Sequence, residues 1–109
     1  MTLYSDITPE IKSTALWYPV VTKTASYTTL ANDGVILCDS TIAIFTITLI
    51  SAVLFKNHCL IIKKINTGPN AITITAAAGQ TIDGSASVNM STPNLCLTLL
   101  SDGTNWRII

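Results

Sequence analysis

Hydrophobic and polar residues alternate with a period of two along most of the chain. In the stretch AITIT, Ile72 and Ile74 share one side while Thr73 and Thr75 share the other. Ile, Val and Thr together make up 37 of the 109 residues, and β-branched residues favour pleated surfaces over helices. A period of two is typical of β-strands, whose successive side chains point to opposite faces. The pattern therefore predicts an all-β protein.

Turn signals rich in glycine, asparagine and aspartate separate the alternating stretches. They occur at residues 32–34, 67–70, 78–80, 83–84 and 102–103. The predicted strands lie near residues 24–30, 35–39, 42–50, 59–65, 71–76, 80–83, 86–90, 95–101 and 105–109. Residues 51–58 are ambiguous and could hold a helical turn. Strands at this spacing indicate a compact β-sandwich of jelly-roll type, a barrel or a β-prism.

The composition indicates that much of the protein surface is covered. Only 11% of the residues are charged, 49% are hydrophobic, and six acidic residues cancel six basic ones, whereas a typical soluble domain is about 25% charged. The predicted strands 42–50 and 95–101 carry apolar residues on both faces, although a sheet with one face in water alternates more cleanly. The second apolar layer is either another subunit or a layer within the same chain, and we favour oligomerisation.

A membrane protein is the other class that such a composition suggests. Residues 40–55 form an apolar run of sixteen residues between Asp39 and Lys56, and the run contains three threonines. Spanning a bilayer takes about 20 predominantly apolar residues, and the first residues do not have the pattern of a signal peptide. We therefore expect no membrane span, and strands buried in protein instead.

The three cysteines, Cys38, Cys59 and Cys96, are each flanked by aliphatic residues. This setting is typical of small buried side chains with free thiols, in a chain made in a reducing cytoplasm. A metal site would combine them with His58, but His58 and Cys59 are adjacent and would point to opposite faces of a strand. We therefore expect three reduced, buried thiols and no metal or other cofactor.

Catalytic chemistry has few candidate residues in this sequence. His58 is the single histidine, and Asp39 and Asp83 could approach it only through the fold. Asp33, Asp83 and Asp102 each precede glycine, where turn geometry explains them. The glycines are isolated, and the only adjacent pair of basic residues is divided between the two faces of a strand, which is too little for a nucleic-acid interface. We expect neither an enzyme nor a nucleic-acid-binding protein.

The first twenty residues differ from the rest because they have no clear period. They contain Tyr4, Trp17 and Tyr18, and aromatic residues are enriched at the energetic centres of protein interfaces. We therefore divide the chain into an N-terminal arm (residues 1–20), which attaches the protein to a partner, and a β-rich domain (residues 21–109). An ordinary first strand laid across its own domain is the alternative interpretation of the arm.

Six stretches, in order along the chain, resemble a β-rich module of tailed-bacteriophage virions. They are YTTLANDGVILC, FTITL, LIIKKI, NAITIT, GQTIDGS and LTLLSDGTNWRII. The module occurs in tail fibres, tailspikes and head fibres or decoration proteins, and the similarity covers about residues 26–109. The chain departs from it at Ile50, where the module often has proline, and at Asn57 and His58, where it often has glycine.

The resemblance implies an all-β domain that assembles as a homotrimer about a three-fold axis, and it implies no catalytic residues. In the closing strand, Trp106 and Ile108 share one face while Arg107 and Ile109 share the other. A chain can end in this way if its last strand lies inside the sheet and Ile109 is covered by a neighbouring subunit. Arg107 is then a candidate for an ion pair between subunits. The expected trimer interface comprises Phe45, Ile47, Leu49, Trp106, Arg107 and Ile109.

Two functions in the virion are compatible with these observations. The first is a capsid decoration or cement protein, a homotrimer that binds the major capsid protein on the outer surface of the head through Tyr4, Trp17 and Tyr18 and stabilises the head. The second is a tail-fibre or receptor-binding tip that contacts a host-surface receptor. A fibre normally carries this module behind a long shaft, and only twenty residues precede it here, so we favour the first. The protein would then lie on the exterior of the virion, after assembly in the host cytoplasm.

Overall fold

Residues 18–109, which a computed structural model of the protein describes, form nine β-strands and no helix. The strands are β1 (Val20–Lys23), β2 (Tyr27–Thr28), β3 (Val35–Cys38), β4 (Phe45–Thr48), β5 (Cys59–Lys64), β6 (Ile72–Thr75), β7 (Ser87–Met90), β8 (Cys96–Ser101) and β9 (Trp106–Ile108). The all-β fold that the alternating pattern predicts is confirmed.

The strands form two sheets, and the first six strands alternate between them. One sheet has five strands in the order β1-β3-β5-β8-β9, and the other has four in the order β2-β4-β6-β7. Strands β1, β3 and β5 run parallel to one another, as do β2, β4 and β6. The chain therefore winds through three turns that each add one strand to each sheet. Strands β7, β8 and β9 pair in antiparallel fashion and complete the two sheets.

The two sheets share one core, which their inward side chains fill. In β6, for example, Ile72 and Ile74 are fully buried while Thr73 and Thr75 are only half-buried on the outer side. Full burial of one such side chain stabilises the fold by about 1.5–3 kcal/mol. The buried apolar residues are Ile36, Cys38, Phe45, Ile47, Leu49, Ala52, Leu60, Ile62, Ile72, Ile74, Ala76, Ile82, Met90, Leu99 and Trp106.

Trp106 joins the two sheets at one corner of the molecule. Its side chain is fully buried, and its indole Nε1 donates a hydrogen bond to the carbonyl oxygen of Ile50, which follows β4 (3.1 Å). Its backbone N–H donates to the carbonyl oxygen of Thr81 (2.9 Å), and its own carbonyl accepts from the N–H of Asp83 (3.0 Å). We call this arrangement the Trp106 corner. It connects the last strand of one sheet to the segment between β6 and β7 of the other.

The connection at residues 51–58 is held by two side chains from outside it. The amide of Gln80 accepts from the N–H of Ala52 (2.8 Å) and donates to the Ser51 hydroxyl (3.1 Å). The Ser101 hydroxyl donates to the Ala52 carbonyl (2.7 Å). A single turn follows, closed by a bond from the Phe55 N–H to the Ser51 carbonyl (3.2 Å). The ambiguous segment is therefore a turn, which packs beside the Trp106 corner.

The predicted strands differ from the structure at five places. Strand β1 (Val20–Lys23) has no counterpart among the predicted strands, and it starts inside the expected arm. The predicted strand at residues 24–30 contains only the two residues of β2. Residues 80–83 contribute only isolated bridges through Ile82. Ile42 and Ile44 precede β4 and are exposed. Strand β9 is an edge strand rather than an interior one, so the expectation that the last strand lies inside the sheet is wrong.

The turn signals have two different roles in the fold. Residues 102–103 begin the four-residue loop, residues 102–105, of the hairpin between β8 and β9. Residues 32–34 and 67–70 instead carry the chain from one sheet to the other. Within residues 18–109, no helix is long and apolar enough to cross a membrane, and the apolar run at residues 40–55 contains β4 and part of the following turn.

Trp106→Phe is expected to lower the free energy of unfolding by about 1–3 kcal/mol, because the Ile50 carbonyl loses its buried donor. Denaturant titration followed by far-UV circular dichroism measures this change. Thr75→Val, at a half-buried outer position of β6, is the control and should alter the free energy by no more than about 0.5 kcal/mol. A Trp106→Phe protein as stable as the wild type would show that the indole does not hold the two sheets together.

Candidate functional site

The outer faces of the two sheets are the largest features that could serve as a functional site. Residues 18–109 form no pocket, and no three His, Cys, Asp or Glu side chains among them come close enough to hold a metal ion. In a sheet, every residue that does not point into the core points to the outer face. The side chains on the two outer faces are therefore the ones available for binding.

The outer face of the four-stranded sheet is lined with hydroxyl groups, and we call it the hydroxyl face. Strand pairing places Thr28, Thr48, Thr75 and Ser87 in one row across the sheet. A second row contains Thr46, Thr73 and Asn89, and the Thr73 hydroxyl donates to the Asn89 side-chain oxygen (2.9 Å). These side chains carry no charge but hydrogen-bond readily to water. This face can therefore remain in solvent.

The outer face of the five-stranded sheet has the opposite character, and we call it the aliphatic face. Strand pairing and the bond from the Ile109 N–H to the Thr98 carbonyl create a central row across all five strands. The row consists of Val20, Val35, Ile61, Thr98 and Ile109. Above and below it, the same face carries Leu37, Cys59 and Leu100. Val20 is 57% exposed and Ile109 is 69% exposed, so the two ends of the row are open to solvent.

The two basic residues on the aliphatic face are engaged by their own chain. The Lys63 ammonium donates to the Asn94 carbonyl (3.0 Å). The Arg107 guanidinium contacts the Asp102 carboxylate (2.9 Å), so Arg107 forms an ion pair within one chain, and the expected pair between subunits stays a prediction. The backbone N–H groups of Asn105 and Thr104, together with Arg107, lower the pKa of Asp102 to about 2. Asp102 is therefore ionised at neutral pH and holds Arg107 at the edge of the face.

Four of the six residues expected at a trimer interface lie in the core of a single chain. Phe45, Ile47, Leu49 and Trp106 are at most 7% exposed, so a second chain cannot reach them without opening the fold. The alternation of the sequence identifies which residues share a face, but not which face is inside. Arg107 and Ile109 are exposed, as an interface requires. The predicted strand 42–50 has two apolar faces. The face with Phe45 and Ile47 is covered by the same chain.

Of the three aromatic residues expected to attach the protein to a partner, only Tyr18 falls in the described range. Tyr4 and Trp17 lie outside the described residues. Tyr18 is 53% exposed, and it rests on Gly34, where an added Cβ would lie 2.9 Å from the Tyr18 Cβ. A glycine is needed at this position because Tyr18 and Pro19, which precede β1, lie so close to it.

The three thiols occupy three different environments. All are free, and Cys38 is buried, which raises its pKa to about 12. Cys59 is half-buried and Cys96 is exposed, since both point to the outer side of the five-stranded sheet. The expectation of a buried thiol is therefore confirmed for Cys38 and wrong for Cys96 within one chain.

Two buried polar groups were not anticipated from the sequence. Asp33, attributed to turn geometry alone, accepts at one carboxylate oxygen from the Tyr27 hydroxyl (2.7 Å) and from the Leu30 N–H (2.8 Å). Lys64 is fully buried, and its ammonium donates to the carbonyls of Asn66 (3.1 Å) and Gly68 (2.6 Å). Both residues hold in place a connection between the two sheets through these hydrogen bonds. Strand periodicity places Lys64 on the inner face, which is the one signal that could have revealed it.

Comparison with models of known protein families finds no match to this chain, and comparison with curated protein sequences finds none either.

The Tyr27–Asp33 pair predicts a specific alkaline transition. The pKa of Tyr27 is raised from 10.0 to about 12. The hydrogen bond to Asp33 is the largest cause, and burial and the carboxylate charge add to it. Because the folded state favours the protonated phenol, its contribution to stability is complete below pH 10 and is lost as the pH rises from about 10 through about 12. In a spectrophotometric titration, Tyr27→Phe should remove the late-ionising tyrosine. Tyr18→Phe should retain it, and the loss of the late phase in that control would contradict the assignment.

Proposed function

We propose that this protein is a structural component of a bacteriophage virion, a capsid decoration or cement protein. In this proposal it binds the outer surface of the head as a homotrimer and stabilises the head. The β-rich domain forms the trimer, as an intertwined or prism-like assembly, and the N-terminal arm contacts the major capsid protein. No cofactor and no catalytic step takes part.

The observation that carries the proposal is the contact between the stretches that resemble the virion module. Trp106 and Asn105 of the closing stretch bond to Thr81 of the GQTIDGS stretch, in the second case through the Asn105 side chain (2.9 Å). Ile50, directly after the FTITL stretch, accepts the Trp106 indole N–H. A single short β-strand sequence can match the module by chance. Residues that bond to one another at the Trp106 corner have a physical reason to occur together. Their joint presence supports a shared module.

The distribution of charge supports a role in an assembly. The chain has a formal net charge of zero and few charged residues, and net charge is one of the properties that keep proteins soluble and monomeric. The aliphatic face has no free charge at its centre. A protein of this kind gains from association with other copies or with a larger surface.

A tail-fibre or receptor-binding tip is the second candidate function, and the hydroxyl face favours it. Rows of threonine hydroxyls can both donate and accept hydrogen bonds, as a host-surface glycan also can. Immunogold labelling of intact virions separates the two candidates. Label distributed over heads would support decoration, and label confined to tail tips would support the receptor-binding alternative and exclude the first proposal.

The attachment role of the arm can be tested with Trp17→Ala combined with Tyr18→Ala. Truncation of an aromatic residue at the centre of an interface costs about 2 kcal/mol or more, so the double variant should bind phage heads about 1,000-fold more weakly. Co-sedimentation with heads that lack the protein measures this affinity. Leu54→Ala, at a residue that is 77% exposed on the connecting turn, is the control and should bind normally. Unchanged binding by the double variant would remove the arm from the attachment site.

A further inference from the structure

The two outer faces differ although their strands belong to one winding chain. The hydroxyl face carries Thr46, Thr48, Thr73 and Thr75 on its central strands. At comparable outer positions, the aliphatic face carries Val35, Leu37, Cys59 and Ile61. Both sets are suited to β-strands, so strand formation does not explain the choice of aliphatic residues on only one side. The aliphatic face is the one that loses free energy by remaining in water.

We infer that the aliphatic face is the surface through which copies of this chain pack against one another. The inference deepens the proposed function by naming the interface of the homotrimer, and it rests on that proposal only for the number of copies. It also replaces the interface expected from the sequence, four of whose six residues are in the core.

The charges around the face favour a second copy over a charged partner. Lys63, which donates to the neutral Asn94 carbonyl, and Arg107, which pairs with Asp102, lie outside the central row. The central row itself carries no charge that a charged partner could pair with. The centre of the face, around Ile61, has only Val35 and Thr98 beside it in the row. An uncharged, apolar surface of this kind can pack against an apolar surface of a neighbouring copy. Around a three-fold axis, different parts of the face on neighbouring copies meet, because only a two-fold axis joins a patch to itself.

The size of the face is appropriate to the centre of an interface. Strands lie about 4.8 Å apart, and outward residues follow one another at about 6.6 Å along a strand, so the eight positions of the face have a projected area of roughly 250 Å². This area corresponds to the centre of an interface rather than to the whole of it. A stable interface buries about 800 Å² on each partner, arranged as an apolar centre within a polar rim. Thr22, Lys63, Cys96 and Arg107 surround the apolar residues and provide such a rim.

The test uses Ile61→Lys, which places a charge at the centre of the aliphatic face, and compares it with Thr73→Lys, which places the same charge at the centre of the hydroxyl face. Sedimentation equilibrium at micromolar concentration measures the mass of each. The wild type and Thr73→Lys should be oligomers, and Ile61→Lys should have the monomer mass near 11.6 kDa. Val20→Lys, at the exposed end of the same row, should shift the equilibrium in the same direction with less risk to folding.

Folding is checked separately through Cys38, which is buried within one chain and should react with a thiol reagent only after denaturation in every variant. If Ile61→Lys and Val20→Lys keep the wild-type mass, the interface lies elsewhere; the inference fails while a homotrimer remains possible. If the wild type itself is a monomer, self-association is excluded. In that case, loss of head binding by folded Ile61→Lys but not by Thr73→Lys would assign the aliphatic face to the capsid, leaving the proposed head attachment intact.

Discussion

The burial of Trp106 in the core that the two sheets share, with its indole N–H donating to the Ile50 carbonyl, joins the last strand of one sheet to the connections of the other. The first three turns of the chain add parallel strands, and nothing within a parallel pair determines where the winding stops. The antiparallel strands β7, β8 and β9 end it. Trp106, at the start of β9, is fully buried. Its side chain bonds to the segment after β4 and its backbone bonds to the segment before β7, so one residue fixes the last strand of one sheet to two connections of the other.

The same corner determines the course of the connection at residues 51–58. Gln80 and Ser101 satisfy the backbone groups of Ala52, which would otherwise be buried without partners at a cost of about 1–3 kcal/mol each. Apart from the bond to the Ser51 hydroxyl, these bonds are made to the backbone of the connection. They therefore depend little on the side chains of the connection.

The sequence predicts the strands of this protein much better than their pairing. A period of two is a local property, so β3, β5, β6 and β8 are found nearly to the residue. Parallel pairing joins residues far apart in the chain, such as Val35 with Ile61, and no local pattern distinguishes it from a hairpin. The inner and outer faces of β4 also could not be assigned from the sequence, because Ile42 and Ile44 make its outer side appear as apolar as its inner side.

Charge is used sparingly in this chain, and mostly to hold connections in place. Arg107 is bound to Asp102 across a turn, Lys64 holds the turn after β5 from within the core, and Asp33 organises the turn before β3. These contacts leave the centres of both outer faces without charge, and only threonine makes one of them compatible with water. The property that relates the fold to its proposed role is therefore an asymmetry. The centre of one outer face is lined with hydroxyl groups, and the centre of the other is lined with aliphatic side chains.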